Sequence, residues 1–188
     1  MPMEINLHEK RFVILGLQGS GKTTLAKYIA KQNPRHLVFD VIGEYQGFNR
    51  YLPREKQGQG LISEFEICAN KLLLKNLHRF NMLIIDEANR IAPCKKPMPS
   101  TLLMLNDQHR HYGLSLGVIA RRPSQLNTDL IDLAHYMFVF LLSGWHDVLY
   151  LNKIAQGLGD TVRTLKPYEF VVVTPTRQFT IHKPISLS

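Results

Sequence analysis

The sequence predicts an α/β fold: a mostly parallel sheet flanked by helices, with a C-terminal hairpin at its edge. Three observations carry that expectation. Apolar runs of strand length alternate with segments of helical period along the chain. A glycine-rich loop, Gly16-Leu17-Gln18-Gly19-Ser20-Gly21-Lys22-Thr23, separates the first apolar run from the first helical segment. A later apolar run, Met82-Leu83-Ile84-Ile85, ends in Asp86-Glu87. A chain of 188 residues accommodates one such unit, so a single domain over 1–188 is expected.

The elements follow in order. Phe12–Leu15 is apolar throughout, as a strand buried on both faces must be, and a helix is expected over Lys22–Lys31. His36–Phe39 is a second strand, running into Asp40 and a turn at Gly43; Asp40 lies where open α/β sheets place ligand contacts, but turn-forming and capping roles suit Asp40 and Glu44 better. Asn49–Gly60 is polar and is read as a loop. Ile62, Phe65, Ala69, Leu72, Leu73 and Leu77 recur near the helical period, predicting one amphipathic helix over Leu61–Arg79. The Asp86-Glu87 strand is followed by a loop over Asn89–Pro99. Thr101–His111 is a predicted helix, entered through Ser100 as N-cap and closed by Gly113. Leu114–Ala120 is a strand running into Arg121-Arg122-Pro123, and a helix is expected from Pro123 to Ala134. Tyr136–Leu142 is another strand, and Asp147–Leu158 another helix. Glu169–Thr174 and Gln178–His182 form the edge hairpin.

The glycine-rich loop fits G-x-x-x-x-G-K-[ST] at every fixed position, the pattern of a phosphate-binding loop. Glycines let successive backbone N–H groups turn inward around an anion, where a Cβ would obstruct them. Gly16, Gln18, Gly19, Ser20, Gly21, Lys22, Thr23 and Thr24 are therefore the candidate triphosphate contacts. Lys22 would reach the β- and γ-phosphates, and the Thr23 hydroxyl would ligate Mg²⁺. The helix that follows adds the positive end of its dipole. Asp86 is placed to hold the same Mg²⁺, and Glu87 to polarise the water that attacks the γ-phosphate. A water-activating carboxylate favours hydrolysis over transfer to a small-molecule acceptor. Arg121 and Arg122, at the carboxyl end of a neighbouring strand, are candidate γ-phosphate contacts.

A formal net charge of +8 points to a polyanionic partner, or else to cations that surround a triphosphate site and solvate the surface. The basic loop residues Arg90, Lys95 and Lys96 are the candidates for nucleic acid; an ordinary exposed loop would look the same. Cys68 and Cys94 have neither metal-ligand nor redox spacing and are read as reduced thiols. MPMEINLHEK lacks the apolar core of a signal peptide, and no window approaches the length of a membrane span.

In order and spacing, GLQGSGKTT, FDVIGEY, LIIDEANR, HRHYG and ARRPSQL resemble the FtsK–HerA superfamily of DNA-pumping ATPases. The resemblance covers roughly residues 11–142 and implies a RecA-like P-loop NTPase core. It implies ATP and Mg²⁺ as ligands, double-stranded DNA as partner, and assembly as a homo-oligomer, a hexameric ring. It also implies an arginine finger donated to the neighbouring subunit. The family's finger precedes a Tyr-Gly like Tyr112-Gly113, which puts the role on Arg110. One position departs: the family commonly has Gln where this chain has Arg121, while Arg122 matches the family's Arg-Pro arginine. The chain lacks the extra segments of cellular DNA pumps and looks like the genome-packaging ATPases of membrane-containing viruses and phages. That implies capsid or membrane-vertex proteins as partners, and a place in the host cytoplasm or at the packaging vertex of the virion. The assembly ATPases of filamentous phages share much of the core and imply a second reading, an ATPase acting on protein at a membrane.

Overall fold

A computed structural model describes residues 5–186; the first four residues of MPMEINLHEK and the last two of the 1–188 span lie outside the described residues. An eight-stranded sheet forms the centre, in the order β3-β2-β4-β5-β1-β6-β7-β8. These are β1 (Arg11–Leu15), β2 (His36–Phe39), β3 (Arg50–Tyr51), β4 (Met82–Ile85), β5 (Ser115–Ala120), β6 (Tyr136–Phe140), β7 (Phe170–Val173) and β8 (Phe179–His182). The first six are parallel where they pair, and β7 and β8 add the predicted antiparallel edge. β5 lies between β1 and β4, with Leu15 level with Ala120 and Ile85 level with Val118. The phosphate loop, Asp86-Glu87 and Arg121-Arg122 therefore all leave the sheet along one carboxyl edge. That edge is where open parallel sheets place their ligands.

Alternate residues of the inner strands supply two cores. Phe12, Ile14, Ile84, Ile119 and Phe138 pack with Leu25, Ala26 and Ile29 of α1 (Lys22–Gln32). Val13, Leu15, Ile85, Val118 and Val139 face the other way. They pack with α2 (Gly58–Ile67), α3 (Ser100–Gln108), α4 (Thr128–Asp132), α5 (Trp145–Ile154) and α6 (Leu158–Val162). On the α1 face, Gly117 gives room for Phe12, since a Cβ there would meet its ring at 2.2 Å.

Several expectations are corrected. β3 pairs through only two residues inside the stretch read as a loop, and α2 begins at Gly58 rather than Leu61. The segment expected to be helical through Arg79 is α-helical only to Ile67. It widens into a π-helix over Cys68–Leu73 and tightens into a 3₁₀ turn over Leu74–Asn76. Ser100 is the first residue of α3, and Pro99 precedes it as the cap position with no side-chain bond. The Pro123 segment is a 3₁₀ turn separate from α4, whose N-cap, Asn127, accepts from the Asp129 amide. The expected Asp147–Leu158 helix is two, α5 and α6, broken at Gly157 with φ 78°. Both cysteines are free, and burial pushes the Cys68 thiol up to about 12. No described helix is long and apolar enough to cross a membrane.

Candidate nucleotide-binding site

The loop between β1 and α1 folds as a cradle because its glycines take conformations closed to other residues. Gly19 and Gly21 have φ of 75° and 108°. A Cβ at Gly16 would stand 2.6 Å from the Phe140 Cβ and 2.7 Å from the Ser20 hydroxyl. Above the loop opens a cleft of about 270 Å³, lined on one side by Gln18, Gly19, Gly21, Lys22, Thr23 and Thr24. Asp86, Glu87, Arg121, Ile42, Glu44 and Tyr168 complete it. Of the predicted loop contacts, Gly16 and Ser20 lie outside this lining; Gly16 instead allows the close approach to β6.

Asp86 ends β4 almost fully buried. Its Oδ1 accepts from the Glu87 amide at 3.0 Å, and its Oδ2 has no hydrogen-bond partner among the described residues. Burial, then the neighbouring Glu87 charge, pushes the Asp86 carboxyl up to about 7, against the opposing bond from the Glu87 amide. A buried carboxylate oxygen with no donor, in a cleft that Thr23 also lines, fits a cation with its water shell. Lys22 donates to the Leu17 carbonyl at 2.8 Å. Burial lowers its pKa, and the charges of Glu87 and Asp86 oppose that shift.

Glu87 takes left-handed backbone, φ 49°, a conformation unfavourable for a residue with a long side chain. Its Oε1 accepts from Arg121 Nε at 3.2 Å, and its Oε2 lies 3.4 Å from Arg90 Nε. Arg90 also donates to the Lys56 carbonyl at 3.1 Å, so this predicted nucleic-acid residue is turned toward the cleft carboxylate. Lys95 and Lys96 remain exposed on their loop.

The two consecutive arginines separate. Arg121 lines the cleft, whereas Arg122 turns to Asp147, 3.9 Å away, beside Ser124, which donates to the same carboxylate. Arg110 is placed differently again. It sits in a 3₁₀ turn before β5, at the amino edge of the sheet, with Nη2 2.6 Å from His135 Nε2. Six residues of β5 separate that edge from the cleft, about 20 Å at strand rise. Arg110 cannot reach the cleft of its own chain.

Asp40 serves the turn that follows it, as read from the sequence. Its carboxylate accepts from the amides of Gly43, Glu44 and Tyr45 and pairs with Arg50 at 2.7 Å. Glu44, read first as a turn residue, is carried by that turn into the cleft wall. Tyr168 escaped sequence reading altogether, since it lies far along the chain in a loop before β7. Its positive φ, 65°, is the local sign that its placement matters.

Comparison with known proteins accords with this geometry. No family model matches the chain. Over 81 residues it is 24% identical to the "Probable DNA double-strand break repair helicase HerA" of Methanocaldococcus jannaschii. That match takes in 42% of this chain and 16% of the helicase's length. The genome packaging NTPase B204 of Sulfolobus turreted icosahedral virus 2, in complex with AMPPCP, superposes with a TM-score of 0.83. The match covers 96% of this chain and all of that one at 22% identity. The chain resembles the FtsK–HerA ATPases in sequence, and its fold is that of the packaging NTPase. The N-terminal domain of zonular occludens toxin from Neisseria meningitidis superposes with a TM-score of 0.57 at 16% identity, over 94% of this chain and 95% of that one.

Proposed function

We propose that this chain hydrolyses ATP to translocate double-stranded DNA, packaging a viral genome into a preformed capsid, with residues 1–188 acting as one ATPase domain. The observation that carries the reading is the Asp86-Glu87 pair, buried across the cleft from a complete phosphate loop. The likeness of fold to a genome packaging NTPase bound to an ATP analogue supports it.

In this reading the loop amides and Lys22 hold the β- and γ-phosphates. Thr23 and Asp86 hold Mg²⁺, which when bound offsets the negative charge shared by those phosphates. Glu87 takes the proton of the attacking water, and Arg121 lies where it can meet the γ-phosphate. Arg110 serves the next subunit of a head-to-tail ring, because its distance from its own cleft leaves no other route to a phosphate. The ring surrounds DNA, with Lys95 and Lys96 contacting its backbone, and docks on capsid or membrane-vertex proteins from the host cytoplasm. Arg122, paired with Asp147, supports the strand end rather than the phosphate.

The test is the ATPase rate at low salt with and without double-stranded DNA. DNA stimulation that disappears as salt rises supports the motor. A rate indifferent to DNA but raised by coat protein or membranes would replace it with an assembly ATPase.

A further inference from the structure

We propose that Arg121 is a clasp on Glu87, holding the catalytic carboxylate masked until a γ-phosphate draws the guanidinium away. The inference rests on the ATPase reading above. Both oxygens of Glu87 are engaged by cations, Oε1 by Arg121 at 3.2 Å and Oε2 by Arg90 at 3.4 Å. Each oxygen thus has one lone pair committed to a guanidinium, which competes with an attacking water for the carboxylate.

The two arginines are not equivalent. Arg90 is tied down a second time, by the Lys56 carbonyl, and stands apart from the residues that line the cleft. Arg121 has no second bond among the described residues, its side chain is 40% exposed, and it forms part of the cleft wall. It alone can exchange one anion for another. A γ-phosphate offers more charge than a carboxylate and a pair of oxygens that match the guanidinium fork. Its arrival moves Arg121 and frees Oε1 toward the attacking water, while Arg90 keeps Oε2 and so the orientation of the side chain. A diphosphate lacks the group that competes for Arg121, so Glu87 stays masked after hydrolysis. The strained backbone of Glu87 fits this role, since it holds the carboxylate against the arginines rather than in open solvent.

Arg121 is thus a positioning residue for Glu87 as well as a phosphate contact, and nucleotide binding without turnover separates the two roles. ATPγS and ADP, each with Mg²⁺, are titrated calorimetrically into the wild type, Glu87→Gln, Arg121→Gln and the double variant. Breaking the clasp opposes triphosphate binding. Glu87→Gln therefore tightens ATPγS about tenfold and leaves ADP unchanged, a coupling of ordinary size. Arg121→Gln weakens ATPγS and leaves ADP unchanged. In the Arg121→Gln background, Glu87→Gln no longer affects ATPγS. Relief of repulsion between Glu87 and the phosphate would persist in that background, so an equal gain in both backgrounds overturns the clasp. So does a gain shared by ATPγS and ADP. If the wild type binds neither nucleotide, the ATPase reading itself fails; if it binds both without the coupling, only the clasp fails.

Discussion

The two edges of the sheet carry opposite chemistry. At the carboxyl edge, buried acids crowd together around a phosphate cradle, and Asp86 is pushed up to about 7 by burial and by Glu87. At the amino edge, Arg11, Arg110, His109 and His135 gather. Burial, then Arg11 and Arg110, push the His135 imidazole down to about 4. Arg110 makes no ion pair among the described residues, and β5 keeps it about 20 Å from the cleft of its own chain. Under the ring proposed above, the contrast divides the site: the triphosphate cleft faces one way, and Arg110, the cation proposed to complete it, faces the other. Stacking copies head to tail would bring them together.

The variants that break this pairing most severely act on turnover. Arg110→Ala should lower the rate of the assembled protein by about 10³–10⁵, the worth of an arginine donated in trans, and leave nucleotide affinity of the monomer unchanged. Calorimetry beside a steady-state assay separates the two. Glu87→Gln should stop turnover by at least about 10² while ATPγS still binds, because an amide cannot take the water's proton. Lys22→Ala should instead weaken the triphosphate itself, measured by direct binding, since it removes the cation that meets the β- and γ-phosphates. For DNA, a protein making several phosphate contacts loses about 10³-fold in affinity between 50 and 200 mM salt with little regard to sequence. Strong sequence selectivity or salt indifference would remove backbone contact from the account.

The smallest effect is on stability. Asp86 holds its proton more tightly folded than unfolded, so the stability it contributes is present at low pH and is lost as pH rises from about 4 toward 7. Asp86→Asn should therefore raise the Tm of the nucleotide-free protein at pH 8 by several degrees. The same change should abolish the stabilisation that Mg²⁺ and nucleotide give the wild type. A variant less stable than wild type at pH 8 would contradict the buried, unpartnered carboxylate.

The carboxyl edge was legible in the sequence because chemistry there is local. A glycine loop, a lysine and an Asp-Glu pair at a strand end each announce themselves within a few residues. Central strands were legible because residues buried on both faces leave no alternation to misread. What escaped depends on contacts across the chain. β3 is two residues long and held by pairing to β2. The π-helix at Cys68–Leu73 keeps its apolar residues near the helical period, so periodicity could not tell it from an α-helix. Arg121 and Arg122 looked alike in sequence. Successive residues leaving a strand point to opposite sides, which is why only one of them reaches the cleft. Glu44 and Tyr168 enter it through the paths of loops.

The central claim is a site shared between copies, and mixing two inactive variants tests it most directly. Lys22→Ala retains Arg110 but has lost its own cleft, and Arg110→Ala retains the cleft but offers no cation to a neighbour. Mixed under conditions of assembly, the two should recover part of the wild-type ATPase rate, at interfaces where an intact cleft meets an intact Arg110. A mixture that assembles and stays as inactive as its components would contradict the division of the site between chains.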